Sequence, residues 1–147
     1  MLVRDLIAKK GSASLITVEP AATVARAAQL MLQHNVGALP VLDGGHRLVG
    51  FIGERDLIEA LDRRGSDVRT TPVSVVMRPA PTCTPDDRLT AVMGRMTQHR
   101  VRQLVVMDGQ RPVGIISVGD IVKHRLDELE TEAGVLRDYV AAHRIRT

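Results

Sequence analysis

Aromatic residues are almost missing from this chain of 147 residues: there is no tryptophan, and Phe51 and Tyr139 stand alone in the class. A core must therefore be assembled from Val, Leu, Ile, Met and Ala. Stacked aromatic platforms for single-stranded nucleic acid are excluded as a main device. Cys83 is the single cysteine, so no internal disulfide can form, which suits a reducing compartment. Long apolar runs are missing too. No stretch reaches membrane-spanning length, and "MLVRDLIAKK" at the start interleaves charges where a signal peptide needs an apolar core. A soluble cytoplasmic protein is expected. Nor is there a basic block. The 20 Lys and Arg are dispersed among 17 Asp and Glu, for a net charge of +3, which argues against a nucleic-acid stripe.

What is present is ordinary globular composition, 44% hydrophobic and 25% charged, in a length that supports a real core. It is organised as a repeat. "TVARAAQLMLQH" from Thr23 carries apolar residues at Val24, Ala27, Ala28 and Met31. "RLTAVMGRMTQH" from Arg88 carries them at Leu89, Val92, Met93 and Met96. Both follow the i, i+3, i+4, i+7 spacing of an amphipathic helix. Thr23 is the expected N-cap of the first, and Asp86 or Asp87 of the second. His34 and His99 close the two helices, where the dipole favours them.

"VGALPVLD" and "VRQLVVMD" then read as strands, and "RLVGFI" and "RPVGII" as their hairpin partners across glycine turns at Gly44–Gly45 and Gly109. Second helices start at "ERDLIEAL" and "VGDIVKHRL". A short extended piece precedes each unit: "SLITV", Ser14 to Val18, and the weaker "PTCT", Pro81 to Thr84. "VSVVM" after Pro72 starts a short helix. The expected fold class is α/β (α+β): two β-α-β-β-α units packed as a pseudo-two-fold pair, with a short N-terminal helix and a long C-terminal one. The expected boundaries are 1–65, 66–126 and a helical extension over 127–147. A symmetric pair creates two equivalent interfacial clefts, the first place to look for a ligand.

At "IISVGD" a strand runs into a helix, whose first turn presents unpaired N–H groups and a positive dipole end. The Ser117 hydroxyl can cap those amides or bond a ligand. The Asp120 carboxylate can accept two hydrogen bonds from a vicinal diol such as a ribose, and a helix start can help hold a phosphate. Ser and Asp are also favoured there for stability alone. The recurrence of strand, glycine and aspartate in "GFIGERD" shifts the weight towards a site. Phosphate requires positive charge: Arg100 and Arg102, two apart near a strand start, could face one side. No metal site is legible, since no His, Cys and carboxylate cluster has ligand spacing. No nucleophile–base pair or Gly-rich phosphate loop marks an enzyme.

The paired units resemble a tandem cystathionine-β-synthase (CBS) domain pair, or Bateman module, from about Val3 to about Leu126. The pattern of glycine, two apolar residues, Ser or Thr, two variable residues and Asp is met throughout by "GIISVGD" (Gly114 to Asp120). "GFIGERD" (Gly50 to Asp56) departs only at Gly53. The resemblance implies a non-catalytic sensor of AMP, ADP, ATP or NAD, with S-adenosylmethionine a further ligand of the family, and no required cofactor. It implies that Asp120 binds ribose hydroxyls, Ser117 bonds near the ribose or phosphate, and Ile115 lines the adenine slot. Ala13 and Ser14 would close the other side with Val36 and Gly37. The second cleft would use Asp56, with Arg78, Pro79 and Val101, and a phosphate-facing Arg55. Gly53 would leave it short of one hydroxyl.

Beyond the second unit, Val122, Leu126, Leu129, Ala133, Leu136 and Val140 are spaced as an a/d seam. Gly134 weakens that helix by about 1 kcal/mol relative to Ala. The seam packs either on its own core or, preferably, against a second chain. With no attached effector domain in the sequence, the output of a homodimeric sensor is expected to pass to an unidentified partner protein or to the dimer itself. The alternative is a ligand-free interaction module that keeps the fold and dimer.

Overall fold

The structure, a computed structural model, describes residues 1–10, 15–44 and 46–145. In chain order these form α1 (Val3–Lys9), α2 (Val24–His34), β1 (Ala38–Leu42), β2 (Leu48–Gly53), α3 (Glu54–Arg64), α4 (Val73–Val76), β3 (Thr82–Cys83), α5 (Leu89–His99), β4 (Gln103–Asp108), β5 (Arg111–Ser117) and α6 (Val118–Ile145). A 3-10 turn, Gly65–Thr70, joins α3 to α4 where a polar linker was expected. None of these helices is long and apolar enough to cross a membrane.

The repeat holds at the level of single hydrogen-bond pairs. β1 and β2 pair antiparallel with Ala38 opposite Gly53, and β4 and β5 with Gln103 opposite Ser117. Both hairpins carry an irregularity at the same place, Val41/Leu42 and Val106/Met107. Helices α2 and α5 bury Val24, Ala27 and Met31, and Leu89, Val92 and Met96, as their periodicity requires. Both end in a left-handed residue, Asn35 at φ 52° and Arg100 at φ 53°.

Two local expectations change. The N-cap of α5 is Arg88, without a side-chain bond. Asp87 is instead spent on the preceding turn, accepting from the Thr84 N–H at 2.9 Å and pairing with Arg95 at 2.6 Å. Those bonds hold the Asp87 carboxyl below its ordinary value. Thr23 caps α2 as expected, its hydroxyl accepting from the Arg26 N–H at 3.1 Å. The first extended piece shrinks to one bridge, Val18 with Val41, whereas its counterpart forms β3, parallel to β4. Pro40 explains the difference. In the second unit the Val105 N–H extends the ladder by donating to Pro81 O at 2.8 Å. Pro40 holds the matching position in β1 and has no N–H to give.

The short helices cross between units. The α4 residue Val73 is buried among Val18, Ala27, Leu39, Val41 and Ile52 of the first unit. The α1 residues Val3 and Leu6 are buried among Leu89, Val92, Leu104 and Ile116 of the second. The docking bonds repeat as well: Val73 N–H to Ala22 O at 2.7 Å matches Val3 N–H to Asp87 O at 2.9 Å. The repeated "VG" has its reason here. A Cβ on Gly50 would lie 2.5 Å from Met77 Sδ, and one on Gly114 2.8 Å from Ile7 Cδ1. The strands lack side chains where the crossing segments lie against them.

Between the sheets a third cluster joins the units: Ala38, Phe51 and Val105 are buried there, with Leu48, Ala80, Met107 and Ile115 packed on them. Helix α6 runs on well past the core. Among its described side chains only Ile121 and His124 are buried. The seam residues Val122, Leu126, Leu129, Leu136 and Val140 are between 44% and 62% exposed, so the seam does not pack on its own core.

Candidate functional site

Ser117 ends β5 and begins the turn into α6. Its hydroxyl accepts from the Asp120 N–H at 3.1 Å, and the Asp120 carboxylate accepts from the Ser117 N–H at 2.9 Å. This is a reciprocal capping box. It leaves Asp120 half-buried and facing the space between the units. The same carboxylate oxygen, Oδ2, also accepts from Lys10 Nζ at 2.8 Å, and that ammonium donates to Ile115 O at 2.9 Å. Burial pushes the Asp120 carboxyl up. The Lys10 hydrogen bond, the Ser117 N–H and the Lys10 charge together outweigh it and hold the group below its ordinary value.

The space in front of these residues is a cleft of about 650 Å³. Ser117, Asp120, Ile115 and Gln103 form its second-unit side. Leu15, Ile16, Val36, Gly37, Ala38, His34 and Asn35 form its first-unit side, and Ile7 and Lys10 of the N-terminal segment also line it. Sequence reasoning thus located Ser117, Asp120, Ile115, Val36 and Gly37 on one cleft. Ala13 and Ser14 lie outside the described residues. His34, read as a helix-end residue, also reaches the wall. Lys10 and Gln103 were missed as cleft residues: Gln103 was read only as part of the strand "VRQLVVMD", and Lys10 reaches the cleft only because α1 crosses to the second unit.

Around Asp56 the arrangement differs. The Gly53 N–H donates to Asp56 Oδ2 at 2.7 Å, but there is no hydroxyl to return the bond. Arg78 Nε lies 3.2 and 3.1 Å from the two Asp56 oxygens, and its guanidinium carbon lies 5.2 Å from the centroid of the Phe51 ring. Arg78 is fixed at its backbone too, exchanging two hydrogen bonds with Phe51 at 2.8 and 3.0 Å. Asp56 is buried beneath it. Two equivalent clefts were expected, but the surroundings of the two aspartates are unequal: Arg78 lies on Asp56 and Lys10 on Asp120.

The remaining candidates are dispersed. Arg55 is 90% exposed and pairs with Glu59 one turn along its own helix, so it is not brought to Asp56. Pro79 is exposed. Val101 packs against the second unit's core. Arg100 is the C-cap of α5, and both it and Arg102 are exposed, outside the cleft wall. Arg100 lies in a left-handed turn before β4, so the two-residue strand alternation does not extend to it. Among the described residues, no three His, Cys, Asp or Glu side chains gather as a metal site.

Comparison with known proteins agrees with this fold. A family model described as the CBS domain matches residues 3–63 and again residues 71–127. The CBS domain-containing protein YhcV of Bacillus subtilis is 34% identical over 110 residues, 75% of this chain and 78% of that protein. The crystal structure of the CBS-domain containing protein ATU1752 from Agrobacterium tumefaciens matches with a TM-score of 0.80 and 34% identity, covering 84% of this chain and 92% of that one. The CBS domain pair of protein MJ0100, solved in complex with 5′-methylthioadenosine and S-adenosyl-L-methionine, matches with a TM-score of 0.76 and 25% identity, covering 87% of this chain and 98% of that one.

Proposed function

The chain belongs to the CBS-domain family and carries the domain twice, and from that premise we propose that it is a non-catalytic regulatory module binding an adenosine-containing ligand in the Asp120 cleft. The observation that carries this reading is the placement of Asp120. A hydrogen-bonded carboxylate at a helix start faces an interfacial cleft of about 650 Å³, which lies within the usual range for small-molecule sites. Its free lone pairs suit ribose hydroxyls, the Ile115 carbonyl suits an exocyclic amine, and Ile7, Val36 and Ile115 supply apolar walls for a base. The relative MJ0100 holds two adenosine derivatives on the same fold. AMP, ADP, ATP and NAD are the leading candidates here. Ligand binding shifts the population between conformations of the pair. The exposed α6 seam seats a second copy of the chain, and the output passes to a partner protein inside the cell.

Calorimetry with AMP, ADP, ATP, NAD and S-adenosylmethionine tests the reading. At least one ligand should bind with a dissociation constant below about 1 mM, near −4 kcal/mol. Asp120→Ala should weaken it by about tenfold or more, the loss of a charge-assisted hydrogen bond. Binding unaffected by Asp120→Ala would place the ligand elsewhere. Complete silence favours a ligand-free interaction module. The observation behind that second reading is that both aspartates already have cationic partners.

A further inference from the structure

Lys10 holds two acceptors at once, Asp120 Oδ2 at 2.8 Å and Ile115 O at 2.9 Å. These are the two groups that a nucleoside would engage with a ribose hydroxyl and an amine. Among the described residues lining the cleft, Lys10 is the sole lysine or arginine and Asp120 the sole carboxylate. The root of Lys10 is fixed. It caps α1 through its own N–H to Leu6 O at 3.1 Å, and its neighbour Lys9 contacts the buried His124 at 3.2 Å. Its four-carbon stem is free to turn, because no other described hydrogen bond holds the amine. In the first unit the matching acceptors, Phe51 O and Asp56, are held by Arg78, which is locked by backbone pairing and by the ring beneath it. Among the described residues, the cation on Asp120 is thus held to β5 by its side chain alone, whereas the one on Asp56 is also held to β2 through its backbone.

We propose that Lys10 determines ligand choice, yielding Asp120 and Ile115 to a nucleoside only when a phosphate on the same ligand re-pairs its ammonium. This rests on the reading of the Asp120 cleft as an adenosine site. A neutral nucleoside must displace the ammonium from its carboxylate and offers no anion in return. A sulfonium ligand such as S-adenosylmethionine adds repulsion at sulfur, and its amino-acid carboxylate carries less negative charge than a phosphate monoester with which to re-pair the ammonium. A phosphate ester replaces one charge-assisted bond with another. The cleft thus prefers phosphate-bearing adenosine ligands to neutral or cationic ones.

The test is calorimetry at fixed ionic strength with AMP, adenosine, 5′-methylthioadenosine and S-adenosylmethionine on the full chain, as wild type, Lys10→Met and Lys10→Arg. Wild type should favour AMP over adenosine. In Lys10→Met that preference should fall about tenfold or more, as expected for losing one bond between charged groups, with adenosine bound at least as tightly as before. Lys10→Arg keeps the charge and should retain most of the preference. A preference for AMP that shifts by less than about threefold in Lys10→Met, with ligands still bound, overturns the role of Lys10 and leaves the site reading intact. Failure of all four ligands to bind all three proteins overturns the site reading and this proposal with it.

Discussion

Phe51 and Ile115 hold matching places in the two hairpins, yet their carbonyl oxygens are claimed by different kinds of donor. Phe51 O accepts the backbone N–H of Arg78 at 3.0 Å, and Ile115 O accepts the side-chain ammonium of Lys10 at 2.9 Å. A backbone pair moves only with its segment, whereas an ammonium moves with its own torsions. The pseudo-symmetry of the fold is thus broken at the two matching strand-to-helix turns.

Arg78→Ala tests how firmly the Asp56 side is held. The substitution leaves a buried carboxylate with the Gly53 N–H as its remaining bond on this face. A loss of about 1–3 kcal/mol in urea denaturation is expected, the cost of a buried polar group deprived of its partner. A change within about 0.5 kcal/mol, typical of a surface site, would mean that Arg78 contributes no lock.

The repeated glycines make unequal predictions. At Gly50 an added Cβ meets Met77 at Sδ 2.5 Å, Cγ 2.9 Å and Cβ 3.1 Å, so the methionine cannot escape by turning its end alone. At Gly114 it meets Ile7 Cδ1 at 2.8 Å, the far end of a side chain. Gly50→Ala should cost about 1–3 kcal/mol as overpacking, and Gly114→Ala clearly less. Thermal unfolding of both variants decides it, and the reverse order would contradict the crossing-helix explanation.

Much of this architecture was legible because period and turn chemistry are local. The 3.6-residue stripes on α2 and α5, the doubled hairpins and the capping residues Ser117 and Asp120 each lie within one short window. Three things were not. Strand loss beside Pro40 depends on a missing N–H in a neighbouring strand. The crossing of α1 is a long-range exchange, seen in Val3 against Leu89, with no local signature. Lys10 enters the cleft only as a consequence of that crossing. Arg100 and Arg102, expected near a phosphate, do not line the described cleft, and Arg100 sits in the left-handed region, a backbone state that sequence conceals in a non-glycine residue.

Asp120 gives a pH dependence with a definite sign. Its carboxyl titrates below the ordinary value of 3.8 in the folded chain. Its contribution to stability is therefore fully present above about 3.8 and is lost as pH falls through the lower folded value. Lys10→Met removes two of the lowering causes and leaves burial in place. The Asp120 titration, followed by carboxyl NMR, should move upward in that variant, and the acid limb of the stability curve should start at higher pH. A titration that does not move would show that Lys10 does not pair with Asp120 in solution.

The seam on α6 predicts an oligomer. Val122, Leu126, Leu129, Leu136 and Val140 are exposed along one helix, an apolar row of the kind that marks an association surface. Light scattering should give a dimer for the full chain. Truncation after Leu126 should shift it towards monomer at micromolar concentration, with the fold retained by circular dichroism. A dimer that is indifferent to the truncation would move the interface away from the tail.

Gly53→Ser restores in the first unit what Ser117 does in the second. A Cβ at Gly53 would sit 3.6 Å from Asp56 Oδ2 and from Gly37 O, and 3.7 Å from Ala38 Cβ, all ordinary contacts. The backbone there, φ −121° and ψ 177°, is open to any residue. The hydroxyl can then accept from the Asp56 N–H, as Ser117 does from Asp120. A cap gain of a few tenths of a kcal/mol adds to the reduced freedom of the unfolded chain, about 0.4–1 kcal/mol. The melting temperature should rise by about 2–4 °C for a chain of this size. Ser117→Gly should lower it, and a fall in Gly53→Ser would mean that the glycine is required there by something other than capping.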